Sequence, residues 1–449
     1  MSVIKHVVAE HVTILVSMTK WFIYSALVGT IIGISTTVFL KLLGWSTNQV
    51  QMAPHHLLFL PVMLLMTQWL VSRFAPDAKG HGTEKVIEAV HSRKGKIALA
   101  VVPVKLLGTV LTLAGGGSAG KEGPCAQIGA GLASALADLL KINDHDRQKL
   151  VICGISAGFA SVFGTPIAGA LFGVEVLFLG QMLYEVLFPA FVSGMVSFQV
   201  SLLLGNTYFY NNFTVVPYAD NALLLHAFIL GILCGIAALI FIKLFGLVKL
   251  SLKKLDGHSY LKTFVGGVLL VLVGNYISDQ YLGLGIEIME AGLNGDTLPW
   301  SAALWKMFTT AITLETGGSG GVLTPLFVIG TAVGNAFGNF VSASNIAVYS
   351  AIGLVSTLSA AANTPIAATV MAVELFGSQV APYAAISCVV GYIFIGHNSV
   401  YSSQVLVSRK SASIAVDMGK MLSDTGQVRI YPRKDTAFRK LLLWLRKHQ

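Results

Sequence analysis

Apolar runs separated by short polar segments cover most of this chain. The runs at 21–45 and 56–74 are each long enough to cross a bilayer as one helix. Later runs lie near 97–114, 125–140, 150–177, 181–205, 222–248, 260–278, 301–314, 322–342, 346–376 and 381–396. Many of these are shorter, and glycine- and proline-rich breaks such as 115–124 and 164–166 interrupt them. The pattern predicts helices, many of them too short to span a membrane alone.

The composition indicates a lipid environment. Of the 449 residues, 54% are hydrophobic and 11% are charged, and the mean hydropathy is +0.73. Soluble proteins carry roughly 25% charged residues. We therefore expect an all-α, multi-pass integral membrane protein of the plasma (inner) membrane. A secreted, nuclear, coiled-coil or disordered protein is excluded.

The net charge of +9 is concentrated at the end of the chain, where ten Lys or Arg stand against three Asp from residue 409 onward. A basic segment after the last apolar run is typical of a cytoplasmic terminus. The segments 79–96, 141–149 and 249–262 are also basic and are expected in the cytoplasm. Because anionic headgroups attract such segments, membrane lipids are the expected partner of the tail, and nucleic acid is not.

The second half of the chain repeats motifs of the first half at a spacing of about 200 residues. Segment 116–124 aligns with 317–325, and both begin Gly-Gly-Ser. Thr-Pro-Ile-Ala occurs at 165–168 and again at 364–367, each time with a glutamate nine positions after the proline, Glu175 and Glu374. A weaker match joins 80–84 to 283–287. Three collinear pairs predict two related halves.

This duplication sets the expected domain organisation. We divide the chain into an N-terminal cytoplasmic or interfacial helix, a first membrane repeat, a connecting loop, a second membrane repeat and a basic cytoplasmic tail. Their predicted bounds are 1–20, 21–205, 206–222, 223–408 and 409–449.

Interrupted helices at corresponding positions of two halves are typical of transporters whose binding site lies at mid-membrane. At such a break, free backbone N–H groups and the positive end of a helix bind an anion without a full positive charge. The breaks therefore predict an anionic ligand.

The first break, 115–122, almost matches a phosphate-binding loop, GxxxxGK[ST], but Glu122 occupies the hydroxyl position. A carboxylate there would repel a phosphate, so nucleotide hydrolysis is disfavoured. The four cysteines show no Cys-x-x-Cys spacing, and no His, Cys, Asp or Glu group has metal-ligand spacing. We expect no metal, no cofactor and no enzymatic activity.

Four motifs together resemble the CLC family of chloride channels and anion/proton exchangers. The Gly-Lys-Glu-Gly-Pro sequence at 120–124 resembles the family's G(K/R)EGP motif, and Gly-Gly-Val-Leu-Thr-Pro at 320–325 resembles its GGIFAP-type motif. Gly-His-Gly at 80–82 resembles its GSGIP segment, and Tyr401 resembles the tyrosine that starts its last helix. The resemblance extends from about residue 21 to 409, and the remaining tail is too short for the regulatory domains of large members.

The resemblance implies an inverted-topology repeat of tilted and broken helices, with one pore per subunit and two subunits in a homodimer. It implies that chloride or a similar small anion is transported and that Glu122 is the gate, whose carboxylate occupies an anion site when charged. The structural alternative is an acid neutralised by Lys121. The residues that the resemblance assigns to anion binding are His81, Gly82, Lys121, Gly123, Val322, Leu323 and Tyr401.

Two motifs in the predicted anion path depart from the family pattern, Gly-His-Gly-Thr-Glu at 80–84 and Gly-Gly-Val-Leu-Thr-Pro at 320–325. His81 replaces the family's serine or proline, and Glu84 replaces its motif proline. Thr83 would supply a hydroxyl in a shifted register. The imidazole of His81 is either an anion ligand that titrates near neutral pH or a solvent-facing side chain. Leu323 is a smaller replacement for the motif phenylalanine.

A third departure concerns protons. Val176 aligns with the glutamate that exchangers typically use for proton transfer, and Glu175 precedes it. Glu175 is a candidate for the proton path, although neighbouring helical residues point about 100° apart. The alternative for Glu175 and for Glu374 is to cap or pair with a buried backbone group. The sequence therefore leaves open a channel and a weakly proton-coupled exchanger.

Two further interpretations complete the sequence analysis. Lys105 and Lys306 lie at corresponding helix starts, and we interpret them as headgroup-facing or cytoplasmic side chains rather than pore-lining ones. An alternative function from a different class is a membrane-embedded hydrolase with Glu122 or His81 as base. It would need a nucleophile or a metal-binding group, and the sequence offers neither.

Overall fold

The computed structural model describes residues 2–208, 210, 221–341, 345–426, 429–431 and 439–447. The helices of the first half are α1 (Ser2–Gln51), α2 (Leu60–Phe74), α3 (Gly82–Ser92), α4 (Val101–Ala114), α5 (Glu122–Leu139), α6 (Asp144–Phe163), α7 (Pro166–Glu175) and α8 (Tyr184–Leu203). Those of the second half are α9 (Asn221–Ser251), α10 (Ser259–Tyr276), α11 (Ile286–Asn294), α12 (Ala302–Glu315), α13 (Leu323–Val341), α14 (Ile346–Ala362), α15 (Pro365–Phe376) and α16 (Ala381–Phe394). The tail contains α17 (Arg439–Lys447).

The strands of the described residues are two residues long and pair in twos. They are β1 (Gly80–His81), β2 (Phe178–Leu179), β3 (Ser319–Gly320), β4 (Val405–Leu406), β5 (Ile414–Ala415) and β6 (Arg429–Ile430). β1 pairs with β3 and β2 with β4, both in parallel, and β5 pairs with β6 in antiparallel. The all-α class expected from the sequence is confirmed.

Helix lengths agree with the predicted mixture of spanning and short elements. Within the described ranges, six helical segments are long and apolar enough to cross a membrane: 4–51, 56–74, 184–203, 222–251, 259–276 and 323–341. Others, such as α7 with 10 residues, are too short to span alone. α1 continues without a break through the predicted boundary at residue 20, and most of the predicted loop 206–222 lies outside the described residues.

Both halves turn the chain back at the Thr-Pro-Ile-Ala motif. α6 ends at Gly164 with φ +74°, and α14 ends at Asn363 with φ +57°. Glycine and asparagine adopt this left-handed conformation most easily, so they end helices. Pro166 and Pro365 then start α7 and α15, where the missing N–H and fixed φ suit the first turn. Each half therefore divides one predicted apolar run into two helices.

A closely packed helix pair recurs in each half. Gly129 of α5 faces Gly154 of α6, and Gly330 of α13 faces Gly353 of α14. A Cβ atom on any of these glycines would overlap the carbonyl oxygen of the facing glycine. The close approach at corresponding positions supports the duplication inferred from the sequence.

The interpretation of Lys105 and Lys306 as headgroup-facing or cytoplasmic is wrong. Both side chains are fully buried. The Lys105 ammonium donates to the carbonyl of Ala78 at 3.1 Å and to that of Gly80 at 2.5 Å. The Lys306 ammonium donates to the carbonyl of Gly283 at 2.9 Å and, at 3.3 Å, to those of Tyr281 and Leu282. Each lysine thus holds the turn before the corresponding Gly-x-Gly segment.

The chain after Tyr401 is attached to both repeats. The side-chain amide of Gln404 donates to the carbonyls of Val176 and Ala362, both at 2.8 Å. The buried end of Lys410 donates to the Asn363 side chain at 2.6 Å. The side chains of Gln404 and Lys410 therefore anchor the segment that follows Tyr401 to both halves.

Candidate functional site

Three helix N-termini converge in the interior of the protein, those of α3, α5 and α13. The parallel pair of β1 and β3 places Gly80 beside Ser319 and His81 beside Gly320. Next to this pair, Gly120 and Gly321 exchange two backbone hydrogen bonds, of 2.8 and 2.7 Å. Because each helix begins within two residues of these pairings, their N–H groups and positive ends meet in one place.

The carboxylate of Glu122 lies on the N-terminus of α13. Its Oε1 accepts from the N–H of Leu323 at 2.6 Å and from the N–H of Thr324 at 3.0 Å. Its Oε2 accepts from the Thr324 hydroxyl at 2.6 Å. The residue is 1% exposed. A negative group thus occupies the position at which free N–H groups would bind an anion.

Among the described residues no ion pair joins Glu122 to Lys121. Lys121 instead lines two cavities, of 480 and 340 Å³, and Tyr208 lines both of them as well. The larger one contains Thr324 as well, so it leads to the donor that holds Glu122. The Glu122 carboxylate is therefore held by hydrogen bonds to α13 rather than by a direct ion pair with Lys121.

Glycines bring the three N-termini into contact. A Cβ atom at Gly120 or at Gly321 would overlap the Glu122 carboxylate, and one at Gly82 would overlap the carbonyl of Gly123. The absence of side chains therefore gives the carboxylate access to the N–H groups of α13. Gly82 and Gly123, both assigned to the site by the resemblance, lie in direct proximity. Val322 and Leu323 are buried at the start of α13.

His81 and Tyr401 lie side by side in the site, with ring centroids 6.1 Å apart. The Nδ1 atom of His81 and the hydroxyl of Tyr401 are buried and have no hydrogen-bond partner in the described part of the chain. Buried polar atoms are rarely left unpaired, so each such atom indicates a partner. This placement disfavours the solvent-facing alternative for His81. Thr83 is also buried, at the junction of α3 and α5.

Glu84 connects α3 to the residues after Tyr401. Its Oε1 accepts from the Ser402 hydroxyl at 2.6 Å, from the Ser403 N–H at 3.0 Å and from the Ser403 hydroxyl at 2.9 Å. The Oε2 atom is buried and has no partner in the described ranges. The departure from the family motif at this position therefore holds the segment that carries Tyr401.

Glu175 on α7 caps the start of α15, and Glu374 on α15 caps the start of α7. The Glu175 carboxylate accepts from the N–H groups of Ile366 at 3.1 Å and Ala367 at 2.8 Å, at the start of α15. Glu374 accepts from the corresponding groups at the start of α7. The structure thus shows the capping arrangement for both. Glu175 also lines a 410 Å³ cavity, and the adjacent Val176 is buried.

Thr324 is a site residue that the sequence analysis missed. Its N–H and its hydroxyl both donate to Glu122. A signal was present, because Thr324 is the polar residue immediately before the proline of the second motif. Within the described ranges no group of three His, Cys, Asp or Glu side chains is arranged to hold a metal ion.

Helix N-termini around a buried carboxylate, inside a duplicated membrane fold, define an anion-transport protein. Residues 63–396 match the family model described as voltage gated chloride channel. The chain therefore belongs to the CLC family, and it is an anion channel or antiporter of the membrane, as the sequence analysis predicted. The alternative of a membrane-embedded hydrolase is not supported.

The chain is similar to several characterised and uncharacterised relatives. It is 35% identical over 402 residues to the chloride/fluoride channel protein of Pseudomonas syringae pv. tomato, covering 88% of each chain. It is 28% identical over 389 residues to an uncharacterised protein of Methanocaldococcus jannaschii, covering 84% of this chain and 93% of that protein.

Solved structures show the same fold. A CLC-type fluoride/proton antiporter matches with a TM-score of 0.81 and 27% identity, over 86% of this chain and 98% of that one. A slow cyanobacterial Cl⁻/H⁺ antiporter matches with a TM-score of 0.73 and 21% identity, over 84% of this chain and 94% of that one. The CLC-type fold expected from the motifs is thereby confirmed.

Proposed function

We propose that this protein carries a small halide, chloride or fluoride, across the membrane in exchange for protons, with Glu122 as the gate. The observation that carries the proposal is the position of the Glu122 carboxylate on the N–H groups of Leu323 and Thr324. A carboxylate in this position competes directly with an anion for the same donors. Removal of its charge is then the step that releases the site.

The gating cycle follows from the donors that hold Glu122. The charged carboxylate is stabilised by two N–H groups and one hydroxyl, and charge-assisted hydrogen bonds are the stronger ones. Protonation removes the charge and weakens all three, so the side chain leaves. A halide then takes the N–H groups of α13, and the unpaired His81 and Tyr401 atoms donate to a halide deeper in the path.

The donor set suits a compact halide. A small anion loses strong hydrogen bonds to water when it enters a protein, and protein donors without another partner replace those bonds. The 35% identical relative is named for chloride and fluoride, and the 27% identical structure is that of a fluoride/proton antiporter. Both names support chloride and fluoride as the two anions to test here.

Coupled exchange rather than passive conduction is the form that we propose. A gate that must bind a proton to move already supplies half of an exchange cycle. The passive channel is the alternative, because Val176 cannot carry a proton and both oxygens of Glu175 are engaged in the α15 cap. The proton path through Glu175 stays a prediction, supported by the cavity that Glu175 lines.

Assembly and lipid contact are further parts of the proposal. We expect a homodimer with one pore per subunit, as the family resemblance implies. The basic tail, which includes α17, is expected to lie on anionic headgroups at the cytoplasmic surface. Light scattering of the detergent-solubilised protein measures the first, and binding to vesicles with and without anionic lipid measures the second.

The decisive experiment measures halide and proton flux together in liposomes that contain the purified protein. Under a halide gradient, an opposing pH gradient should shift the reversal potential. A reversal potential fixed at the halide Nernst value would instead identify a channel. Cation permeability above chloride and fluoride permeability would contradict the proposed function altogether.

A further inference from the structure

Glu84 is a carboxylate near the anion site to which the gating cycle gives no role. It lies in the first turn of α3, three residues after His81, and it contacts the chain directly after Tyr401. Tyr401 is close enough to both Glu84 and Glu122 to experience the charge of each carboxylate. Tyr401, a side chain assigned to the anion site, is therefore within electrostatic range of both Glu84 and the gate.

The two oxygens of Glu84 have different surroundings. Oε1 accepts three hydrogen bonds, from Ser402 and from the N–H and hydroxyl of Ser403. Oε2 is buried and has no partner among the described residues. A proton can bind to Oε2 without breaking a hydrogen bond, while Oε1 keeps the deprotonated form in place. Both protonation states therefore fit the same geometry.

Glu175, the carboxylate beside Val176, lacks this property. Each of its oxygens accepts a backbone N–H at the start of α15. Protonation of Glu175 would remove the charge that strengthens both of these N–H bonds at the start of α15. Glu175 thus serves as a cap with both oxygens, whereas Oε2 of Glu84 accepts no hydrogen bond from the described residues.

The path from solvent to Glu84 is short. Ser402 is exposed, and its hydroxyl donates directly to the Glu84 carboxylate. The chain from Ser402 leads into the basic tail, which marks this side as cytoplasmic. Water on that side therefore reaches a hydrogen-bond partner of Glu84, while the opposite cavities reach Thr324 and the gate.

The charged and titratable groups around Glu84 are few. Lys85 of the same helix acts on its charge, and Lys85 itself pairs with Glu88 at 2.8 Å. The segment packed against Glu84 contributes Tyr401, and β1 contributes His81. Among the described residues no ion pair involves Glu84. Its charge is thus free to change without the loss of a salt bridge.

We propose that Glu84, rather than Glu175, is the cytoplasmic proton carrier of this exchanger, in the role for which Val176 has no titratable group. A proton from cytoplasmic water reaches the Glu84 carboxylate on the side of Ser402, and the neutral carboxyl carries it on Oε2, the oxygen without a hydrogen bond. The O–H bond then breaks as the proton passes, through water or the Tyr401 hydroxyl, to the Glu122 carboxylate, and Glu84 returns to its charged form. This inference rests on the proposed exchange of halide for protons.

The test compares three variants in liposomes, with chloride efflux and proton uptake recorded from the same vesicles. Glu84→Gln keeps an oxygen acceptor for Ser402 and Ser403 but does not titrate. We expect its proton uptake to fall by about tenfold or more. Chloride efflux should stay within about twofold of wild type, because protons from the opposite side still reach Glu122 through the cavity at Thr324. The matched control is Glu88→Gln on the same helix, which should change neither flux. Glu175→Gln should reduce proton uptake less than Glu84→Gln.

The other possible results of this experiment each contradict either the inference or the proposed function. A wild-type proton-to-chloride ratio in Glu84→Gln overturns the inference, as does a larger loss in Glu175→Gln. Equal loss of both fluxes in a folded Glu84→Gln protein also overturns it and assigns Glu84 to the positioning of Tyr401. Chloride efflux without proton uptake in wild type overturns the inference but leaves halide transport intact. No halide efflux in wild type contradicts the proposed function itself.

If Glu84→Gln does not fold, the Glu84→Asp variant tests the same inference. Its shorter side chain moves the acid away from Tyr401 but retains the carboxylate for the serines. Slower proton uptake with unchanged chloride efflux supports the proton carrier, and a parallel change in both fluxes overturns it.

Discussion

Glu175 and Glu374 form a reciprocal pair: each lies in the last turn of one short helix and caps the N-terminus of the other. The four hydrogen bonds measure 2.8 to 3.1 Å, and they join α7 of the first half to α15 of the second. Since the two residues lie at corresponding positions of the repeat, the arrangement has the symmetry of a two-fold axis between the halves. It fixes one half of the protein against the other.

The caps lead to a first prediction about stability. Glu374→Ala removes a carboxylate from two N–H groups of α7 and should lower the free energy of unfolding by about 1–2 kcal/mol. Glu374→Gln retains one acceptor and should lose about half as much. Thermal unfolding in detergent measures both. Glu10→Ala on the exposed face of α1 is the control, and a shift as large there would contradict a specific role for the cap.

A second prediction concerns the gate. Glu122→Gln keeps the shape of the side chain but removes the charge that competes with the anion, so it mimics the protonated gate. Halide flux should lose most of its pH dependence. Flux in liposomes between acid and neutral pH measures this. If wild type is pH-sensitive and the variant follows the same curve, Glu122 is not the gate.

A third prediction isolates the Thr324 hydroxyl. Thr324→Val retains the shape and the backbone N–H but removes a hydrogen bond to the Glu122 carboxylate. A hydrogen bond to a charged group contributes about 1.5–3 kcal/mol, so the docked carboxylate should leave roughly tenfold more often. Halide flux at neutral pH should therefore rise. Thr324→Ser keeps the hydroxyl and should behave like wild type; a rise in both variants would contradict this role.

The sequence predicted the parts of the fold that depend on local chemistry. A glycine and proline break located the turn at Gly164, because these residues end and start helices through their own backbone preferences. The corresponding turn before Pro365 lies inside the predicted run 346–376, where only the repeated Thr-Pro-Ile-Ala motif indicated it. The motif that contains Glu122 pointed to the buried carboxylate on the N-terminus of α13, since a charged residue at a helix break in an apolar chain is costly and therefore functional.

Contacts between distant segments could not be predicted in the same way. The hydroxyl of Thr324 contacts a residue 202 positions earlier, and Glu84 contacts residues 318 and 319 positions later. In the sequence, Thr324 is a small polar residue in an apolar run and Glu84 is a departure from a motif. Only the pairing of β1 with β3 and the return of the chain at Tyr401 give these residues their partners.

A fourth prediction concerns His81. His81→Ser replaces an unpaired ring nitrogen by the hydroxyl that the family resemblance places at this position, so the donor beside Tyr401 changes in size and reach. The relative permeability of chloride, nitrate and fluoride should change, and bi-ionic reversal potentials in planar bilayers measure it. The exposed His258→Ser is the control. Unaltered permeability ratios in a folded His81→Ser protein would place the ring outside the path.

The last prediction uses the two buried lysines as an internal comparison. Lys105→Met and Lys306→Met each leave backbone carbonyls without their donor, so each should lower the free energy of unfolding by about 1–3 kcal/mol. Only Lys105 holds Gly80, the residue before His81, and so only Lys105→Met should also weaken halide binding. Thermal unfolding measures the first effect, and calorimetric titration with halide the second. Equal losses of halide affinity in the two variants would show that the lysines act through stability alone.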